Sequence, residues 1–385
     1  MSIKDLDLKG NTVVLRAEFN VPMKEGKIIN DTRIQAELPT LQYLLNEGAK
    51  LIILTHLGRP KGKANPEFTV EPVAVRLGEL LKEEVTFIPY GSLEEVKERT
   101  LQVKKVGLLE NIRFWPEEEK NDPDFSRFLA SLGDIYINDA FGCAHRAHAS
   151  TEGIGHYLDA HPGFLMEKEI AALSGAVNNP KKPLVVVMGG SKVSDKIKLI
   201  ENLSDKADYM CFGGAMANTL LAAKGINMGN SKVETEELAM AKDLMEKVET
   251  KCKVCYPLDF VAADEFSEAA NTKITSADGV EEGWMALDIG PETVKAWKEI
   301  FEKAGTIIWN GPLGVYEMKA FEKGSFGVAE AMANSGAISV VGGGDAVSAV
   351  KASGFGPKMS HLSTGGGASL ELLEGKVLPG IAILK

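Results

Sequence analysis

The chain has 385 residues, 44% hydrophobic and 25% charged, with a formal charge of −11 at pH 7. That length exceeds what one ordinary core absorbs, so two domains are expected, and the apolar and charged fractions are those of a globular protein. The acidic balance argues against non-specific nucleic-acid binding, and no long apolar run or signal-peptide pattern is visible, so the expectation is a cytoplasmic protein with neither nucleic-acid nor membrane partners.

The first half repeats one unit, a short β-rich run, a polar turn and a helical stretch. Thr12-Val13-Val14-Leu15 leads into Arg16-Ala17-Glu18-Phe19-Asn20, and Leu51-Ile52-Ile53-Leu54 leads into Thr55-His56-Leu57-Gly58-Arg59. Val106-Gly107-Leu108-Leu109 is followed by Arg113, and Ile135-Tyr136-Ile137-Asn138 at longer range by Arg146, while Arg33 opens a helix after Asn30-Asp31-Thr32. Strands separated by helix-length segments pair in parallel, and open parallel sheets take ligands at their carboxyl edge. Five arginines on one such edge, with His56, are suited to a small, multiply charged anion. The first half therefore reads as built for an acidic, phosphorylated substrate.

Gly163 to Leu173 carries apolar residues at helical spacing and closes on Asn178-Asn179-Pro180, which makes it a candidate linker and hinge. Beyond it, Leu184-Val185-Val186-Val187-Met188 reads as a buried strand ending in Gly189-Gly190-Ser191-Lys192, with Lys196 four residues further on. A glycine turn opening a helix exposes unpartnered amides to an anion, and two lysines four apart share a helical face, so this stretch is expected to seat phosphate.

Glycine then replaces arginine at the strand ends, in Gly213-Gly214, Asn310-Gly311-Pro312-Leu313, Gly342-Gly343-Gly344-Asp345 and Thr364-Gly365-Gly366-Gly367. Bare backbone suits a flat ring and a polyphosphate. Asp345 could hold Mg²⁺ directly or through water, and Glu317 is placed to accept from ribose hydroxyls. Cys252 and Cys255 form a C-x-x-C with no second pair to complete a metal site. The phosphate-loop, dinucleotide and protein-kinase signatures are missing from the sequence. An arginine-lined anion site and a glycine-lined nucleotide site joined by a hinge describe a phosphotransferase. No activated nucleophile or dedicated base stands out, which favours an acceptor already ionised at neutral pH, namely a carboxylate. A dinucleotide-dependent dehydrogenase and a non-catalytic binder of phosphorylated acids remain as alternatives.

In its motifs the chain resembles the phosphoglycerate kinases of bacterial type. The match runs in order through Arg16 to Pro22, His56 to Pro60, Glu110 to Phe114, Gly190 to Lys196, Trp309 to Pro312, Gly342 to Asp345 and Ser363 to Ala368. The resemblance implies an α/β protein of two Rossmann-like domains with parallel sheets joined by a hinge helix. Their expected bounds are 1–165 for phosphoglycerate, 166–180 for the hinge and 181–374 for the nucleotide, with a tail over about 375–385 packing back on the first domain. It further implies a monomer transferring phosphoryl between 1,3-bisphosphoglycerate and MgADP, giving 3-phosphoglycerate and MgATP.

By the same resemblance Glu18, Asn20, Arg33, His56, Arg59, Arg113 and Arg146 bind phosphoglycerate, and Arg33, Lys192, Gly365 and Gly366 act on the group in transfer. Lys196, Gly213, Gly214, Asn310, Leu313, Glu317, Gly343, Gly344, Asp345 and Thr364 line the nucleotide, Asp345 also meeting Mg²⁺. Two positions depart from the family pattern. Glu18 stands where aspartate is usual and is one methylene longer, and Ala346 stands where serine or threonine is usual.

Overall fold

The computed structural model describes residues 2–385. It divides into two compact units, the first running to Ile170 and including Val377–Lys385, the second spanning Ala171–Lys376.

The first unit is built on six parallel strands in the order Val85–Ile88, Val106–Leu109, Lys50–Leu54, Thr12–Arg16, Ile135–Asn138, Ala160–Pro162. Period-two alternation explains why the strands read as unbroken apolar runs. Val13, Leu15, Leu51 and Ile53 enter one core, while Val14, Ile52 and Leu54 enter another on the opposite face. The direction in which successive strands are laid down reverses between Thr12–Arg16 and Ile135–Asn138, which leaves a crevice at their carboxyl ends. The C-terminal residues lie against this unit. Gly380 N–H donates to Ala144 O at 2.9 Å, and Lys385 N–H donates to Ala160 O at 2.9 Å.

The second unit carries six parallel strands in the order Lys253–Cys255, Tyr209–Phe212, Leu184–Met188, Thr306–Asn310, Ile338–Gly342, His361–Leu362. Ranked along the chain this is 3-2-1-4-5-6, the doubly wound dinucleotide-fold order, with its reversal between Leu184–Met188 and Thr306–Asn310. An antiparallel sheet of Asp259–Ala263, Thr272–Ser276 and Met285–Ile289, which the strand-and-glycine pattern did not separate, is inserted before the fourth strand. Cys255 ends the Lys253–Cys255 strand, so three residues of nearly extended chain, roughly 10 Å, part it from Cys252. That exceeds the reach of a disulfide, and both thiols are free.

The helix Phe164–Asn178 starts in the first unit, and its first amides are held there. Phe164 N–H donates to Thr40 Oγ1 at 3.1 Å and Met166 N–H to Asp139 Oδ1 at 2.9 Å. Asp139 faces Glu37, both are fully buried, and Glu37 Oε1 accepts from the Glu18 amide at 2.8 Å. Burial and the neighbouring Asp139 push the Glu37 carboxyl well above its ordinary value, and burial also raises Asp139. Glu37 Oε2 and Asp139 Oδ2 are both buried with no other partner, an arrangement that a proton kept on the raised Glu37 carboxyl would satisfy. The carboxyl pair stands between the Glu18 amide, bound by Glu37, and the Met166 amide, bound by Asp139.

Because both carboxyls are raised in the folded chain, the native state binds more protons than the unfolded one. Their contribution is complete below the ordinary carboxyl range and is lost as pH rises through the raised values. Glu37→Gln, whose amide also donates to Asp139, should flatten that decline. Urea unfolding over a pH series should give a shallower fall for the variant, whereas parallel curves would show that the pair holds no extra proton.

Candidate functional site

In the first unit the crevice is shaped by the segment after Thr12–Arg16. Glu18 N–H is tied to Glu37, Phe19 N–H donates to Thr55 Oγ1 at 3.0 Å, and Thr55 Oγ1 donates to Ala17 O at 3.0 Å. Asn20 Oδ1 accepts from Gly58 N–H at 3.0 Å, and Asn20 O accepts from Arg33 Nη1 at 2.8 Å. Arg33, in the first turn of the helix Thr32–Asn46, also pairs with Glu18 Oε1 at 3.2 Å. Arg113, in the turn Ile112–Phe114, donates to Gly58 O at 2.9 Å and lies 3.4 Å from Glu119. The atom facing Glu119 is Nε, which is buried and makes no hydrogen bond, so the guanidinium is held by Gly58 O and one acidic neighbour.

The electrostatics show which cations share one place. Burial pushes His56 well below its ordinary value, and Arg16, Arg113, Arg146 and Arg33 add to the push. Burial, with Arg113, Arg16 and Arg146, takes His148 down to about 3. Arg113 itself is lowered, by burial first and then by Arg16 and Arg146 against the opposing pull of Cys143 and Glu119. Four arginines thus act on one imidazole, and crowded like charge of this kind is relieved by a polyanion. Arg59 stands apart from that group, exposed and one residue beyond Gly58.

Arg16 corrects the expectation of five arginines facing the ligand. It is 1% exposed and points into the unit, where Nε donates to Ser150 Oγ at 2.9 Å, Nη1 to Ala17 O at 2.5 Å and Nη2 to His56 Nδ1 at 3.0 Å. Ser150 Oγ passes the contact to the buried Glu118 at 2.7 Å. His56 is neutral and its Nδ1 accepts from Arg16, so the ring proton sits on Nε2, which is left as a donor. Arg16 positions the anion-binding groups; it does not bind the anion.

In the second unit Lys196 occupies the reversal point of the sheet. Its Nζ donates to Gly189 O at 2.9 Å, just past the strand Leu184–Met188, and to Asn310 Oδ1 at 2.6 Å, at the end of the strand Thr306–Asn310, which leaves one N–H free. A cavity of about 260 Å³ beside it is lined by Lys196, Asn310, Gly343, Gly344, Asp345 and Gly366. A larger cavity of about 410 Å³, lined among others by Gly214, Leu313, Val315, Glu317 and Phe260, shares Asp345 with the first. A small cavity bordered by Lys196 and Asp345, beside a larger and more apolar one, suits a phosphate chain and a base. Gly213 lies just behind, as the residue preceding the helix Gly214–Ala223.

Three expectations are revised here. The stretch after Gly190 does not open directly into an α-helix. Residues 191–193 are irregular, Ser194–Lys196 forms a single 3-10 turn, and the helix begins at Ile197. Lys192 is exposed in the irregular part, so it shares no helical face with Lys196. The amides expected to seat phosphate are occupied as well, since Val193 and Ser194 N–H both donate to Glu234 Oε2 at 2.5 and 3.3 Å. Several glycines answer to backbone packing: a Cβ on Gly189 would meet Pro312 O at 2.1 Å. Gly344 and Gly366 differ, because nothing lies within 4 Å of a Cβ built there. Gly365 N–H already donates to Ser363 Oγ at 3.2 Å, and Thr364 is exposed beside it.

A family model described as phosphoglycerate kinase matches residues 3–376. The chain is 50% identical over 393 residues to a protein of Chloroflexus aggregans named phosphoglycerate kinase, covering 100% of this chain and 98% of that one. It is 50% identical over 387 residues to the protein of the same name from Moorella thermoacetica, with the same coverage. Among solved structures, phosphoglycerate kinase from Coxiella burnetii superposes with a TM-score of 0.94 at 44% identity, over 100% of this chain and 98% of the other. That from Pyrococcus horikoshii gives 0.84 at 34%, with the same coverage.

Burial lowers Lys196 to about 8 against the opposing pull of Asp345 and Asp195, so its charge is lost as pH rises through about 8. An anion over Nζ favours the charged form. ATP binding at pH about 8 should then take up about half a proton. Calorimetry in two buffers of different ionisation enthalpy should show that uptake in the wild type and its loss in Lys196→Arg; equal uptake in both would assign the proton elsewhere.

Proposed function

The chain belongs to the phosphoglycerate kinase family, and from that premise we propose which of its residues hold each ligand and carry the transfer. The reaction is reversible phosphoryl transfer between 1,3-bisphosphoglycerate and ADP. Residues 1–165 are the phosphoglycerate domain, 181–374 the nucleotide domain and 166–180 the hinge whose bending the reaction requires. The observation that carries the substrate assignment is the set of arginines bearing on the neutral His56. Arg33, Arg59, Arg113, Arg146, Asn20 and His56 Nε2–H meet the phosphate and carboxylate of the substrate, and Glu18 accepts from its hydroxyl.

On the nucleotide side, Gly213, Gly214, Leu313 and Glu317 line the nucleoside. Lys196, Asn310, Gly343, Gly344 and Thr364 line the phosphates. Asp345 is one carboxylate bordering both cavities, and Mg²⁺ fits such a place because it takes one or two carboxylates and draws its other ligands from phosphate and water. When bound it neutralises phosphate charge. The protein functions as a cytoplasmic monomer.

Chemistry at the transferring group needs alignment and charge, and the acceptor carboxylate is already ionised, so no base is required. Lys192 is the cation for the group in transfer. It is exposed and free of the Glu234 contacts that fix Val193 and Ser194, whereas Lys196 is anchored by two carbonyl oxygens. The open space at Gly366 leaves room beside its amide, and Gly365 supports it through Ser363. A cation engaged mainly in the transition state affects turnover more than binding. In a coupled assay with 3-phosphoglycerate and MgATP, Lys192→Ala should lower kcat by about a hundredfold or more with a smaller change in KM. A near-normal kcat with only a raised KM would remove Lys192 from that role.

A further inference from the structure

Glu18 is longer than the aspartate usual at its position, and an added methylene brings an added torsion. A carboxylate with that freedom would spend part of its time away from a substrate hydroxyl unless something fixed it. The structure supplies a restraint on each oxygen. Oε1 meets Arg33 at 3.2 Å, and Oε2 accepts from Cys143 Sγ at 3.1 Å. Cys143 belongs to the 3-10 turn Phe141–Cys143 and is 4% exposed. Its neighbour Gly142 completes the seat, since a Cβ there would come within 2.9 Å of Oε2.

The thiol can donate. Burial and the nearby Glu18 raise Cys143 to about 12, so its proton stays on sulfur. His56 Nδ1 lies 3.7 Å from Sγ but already accepts from Arg16, which leaves Glu18 as the stronger acceptor. Arg16 Nη2 also reaches Sγ at 3.6 Å, so sulfur receives from Arg16 and gives to Glu18.

The ligand atoms of Glu18, His56 and Cys143 lie within 4.8 Å of one another, a spacing open to a thiophilic cation. Arg16 decides against that use. Its guanidinium is directed at both His56 Nδ1 and Cys143 Sγ, so it covers the lone pairs a metal would need and sets a fixed positive charge beside them.

We propose that Cys143 is a positioning residue for substrate recognition, its S–H holding the longer Glu18 carboxylate against the Phe141–Cys143 turn so that Oε1, met by Arg33 on one lone pair, presents the other to the hydroxyl of phosphoglycerate. This rests on the placement of Glu18 at the substrate. Cys143 touches no reacting atom and acts through Glu18, to which it donates.

The test combines kinetics with infrared spectroscopy of the full chain. Cys143→Ala should raise KM for 3-phosphoglycerate about three- to tenfold, the worth of one modest hydrogen bond, while kcat and KM for ATP stay within about twofold. Cys143→Ser, which restores an O–H donor, should recover most of that loss. The S–H stretch of Cys143, isolated as the difference between wild type and Cys143→Ser, should lie below that of a free thiol and move up in Glu18→Gln. That band needs no alanine variant, so the test stands even where alanine destabilises the fold. A band that ignores Glu18→Gln overturns the tether, as does equal impairment of alanine and serine variants. A band that moves while KM for 3-phosphoglycerate is unchanged in both Cys143→Ala and Glu18→Gln overturns the placement of Glu18 at the substrate, and the role of Cys143 with it.

Discussion

Arg16 is the constraint on which the first unit depends. Removing a guanidinium from water costs several kcal/mol even after relaxation, and a fold keeps one inside only where its donors are met. Here they are met by Ser150, Ala17 and His56, with Cys143 at longer range and Glu118 one hydroxyl away. Each partner is thereby fixed. His56 is locked in one tautomer, the Cys143 thiol faces a cation on one side and Glu18 on the other, and the ends of two adjacent strands are joined. The arginines nearer the surface inherit a rigid floor with a permanent positive charge beneath it. The floor disfavours protonation of every nearby imidazole and favours an incoming anion.

The second unit solves a related problem with a weaker cation. Lys196 bridges the strands on either side of the sheet reversal, spending two of its three N–H donors on Gly189 and Asn310. Lysine tolerates burial by giving up its proton near neutral pH, which arginine does not. The two units therefore differ in kind. One holds a fixed charge, while the other holds a charge that the bound phosphates themselves consolidate.

Much of this was legible in the sequence because parallel sheets buried on both faces leave unbroken apolar runs, and side chains that follow such runs lie at the carboxyl edge. His56 and Arg113 stand out in that way, whereas Arg33 is read from a helix start and Asn20 enters only through the family resemblance. What local pattern could not supply was direction and competition. Arg16 ends its strand with the same pattern as its neighbours, and partners distant in sequence, His56, Ser150 and Cys143, turn it inward. Lys192 and Lys196 have helical spacing, but Glu234 takes the intervening amides and the helix starts late. The glycines at the strand ends carried two meanings, since Gly189 is required by a neighbouring carbonyl and Gly344 is bounded by open space. Cys143 left no signal beyond its position next to Gly142, because its significance depends on the length of Glu18.

The most direct measurement of the central claim is the His56 imidazole seen by nitrogen-15 NMR in the wild type and in Arg16→Met, which removes the charge and keeps much of the volume. With Arg16 in place, His56 should remain neutral and protonated on Nε2 from pH about 6 to 8. Without it, the ring should titrate closer to its ordinary 6.5. A wild-type His56 that titrates near 6.5, or that carries its proton on Nδ1, would contradict the account.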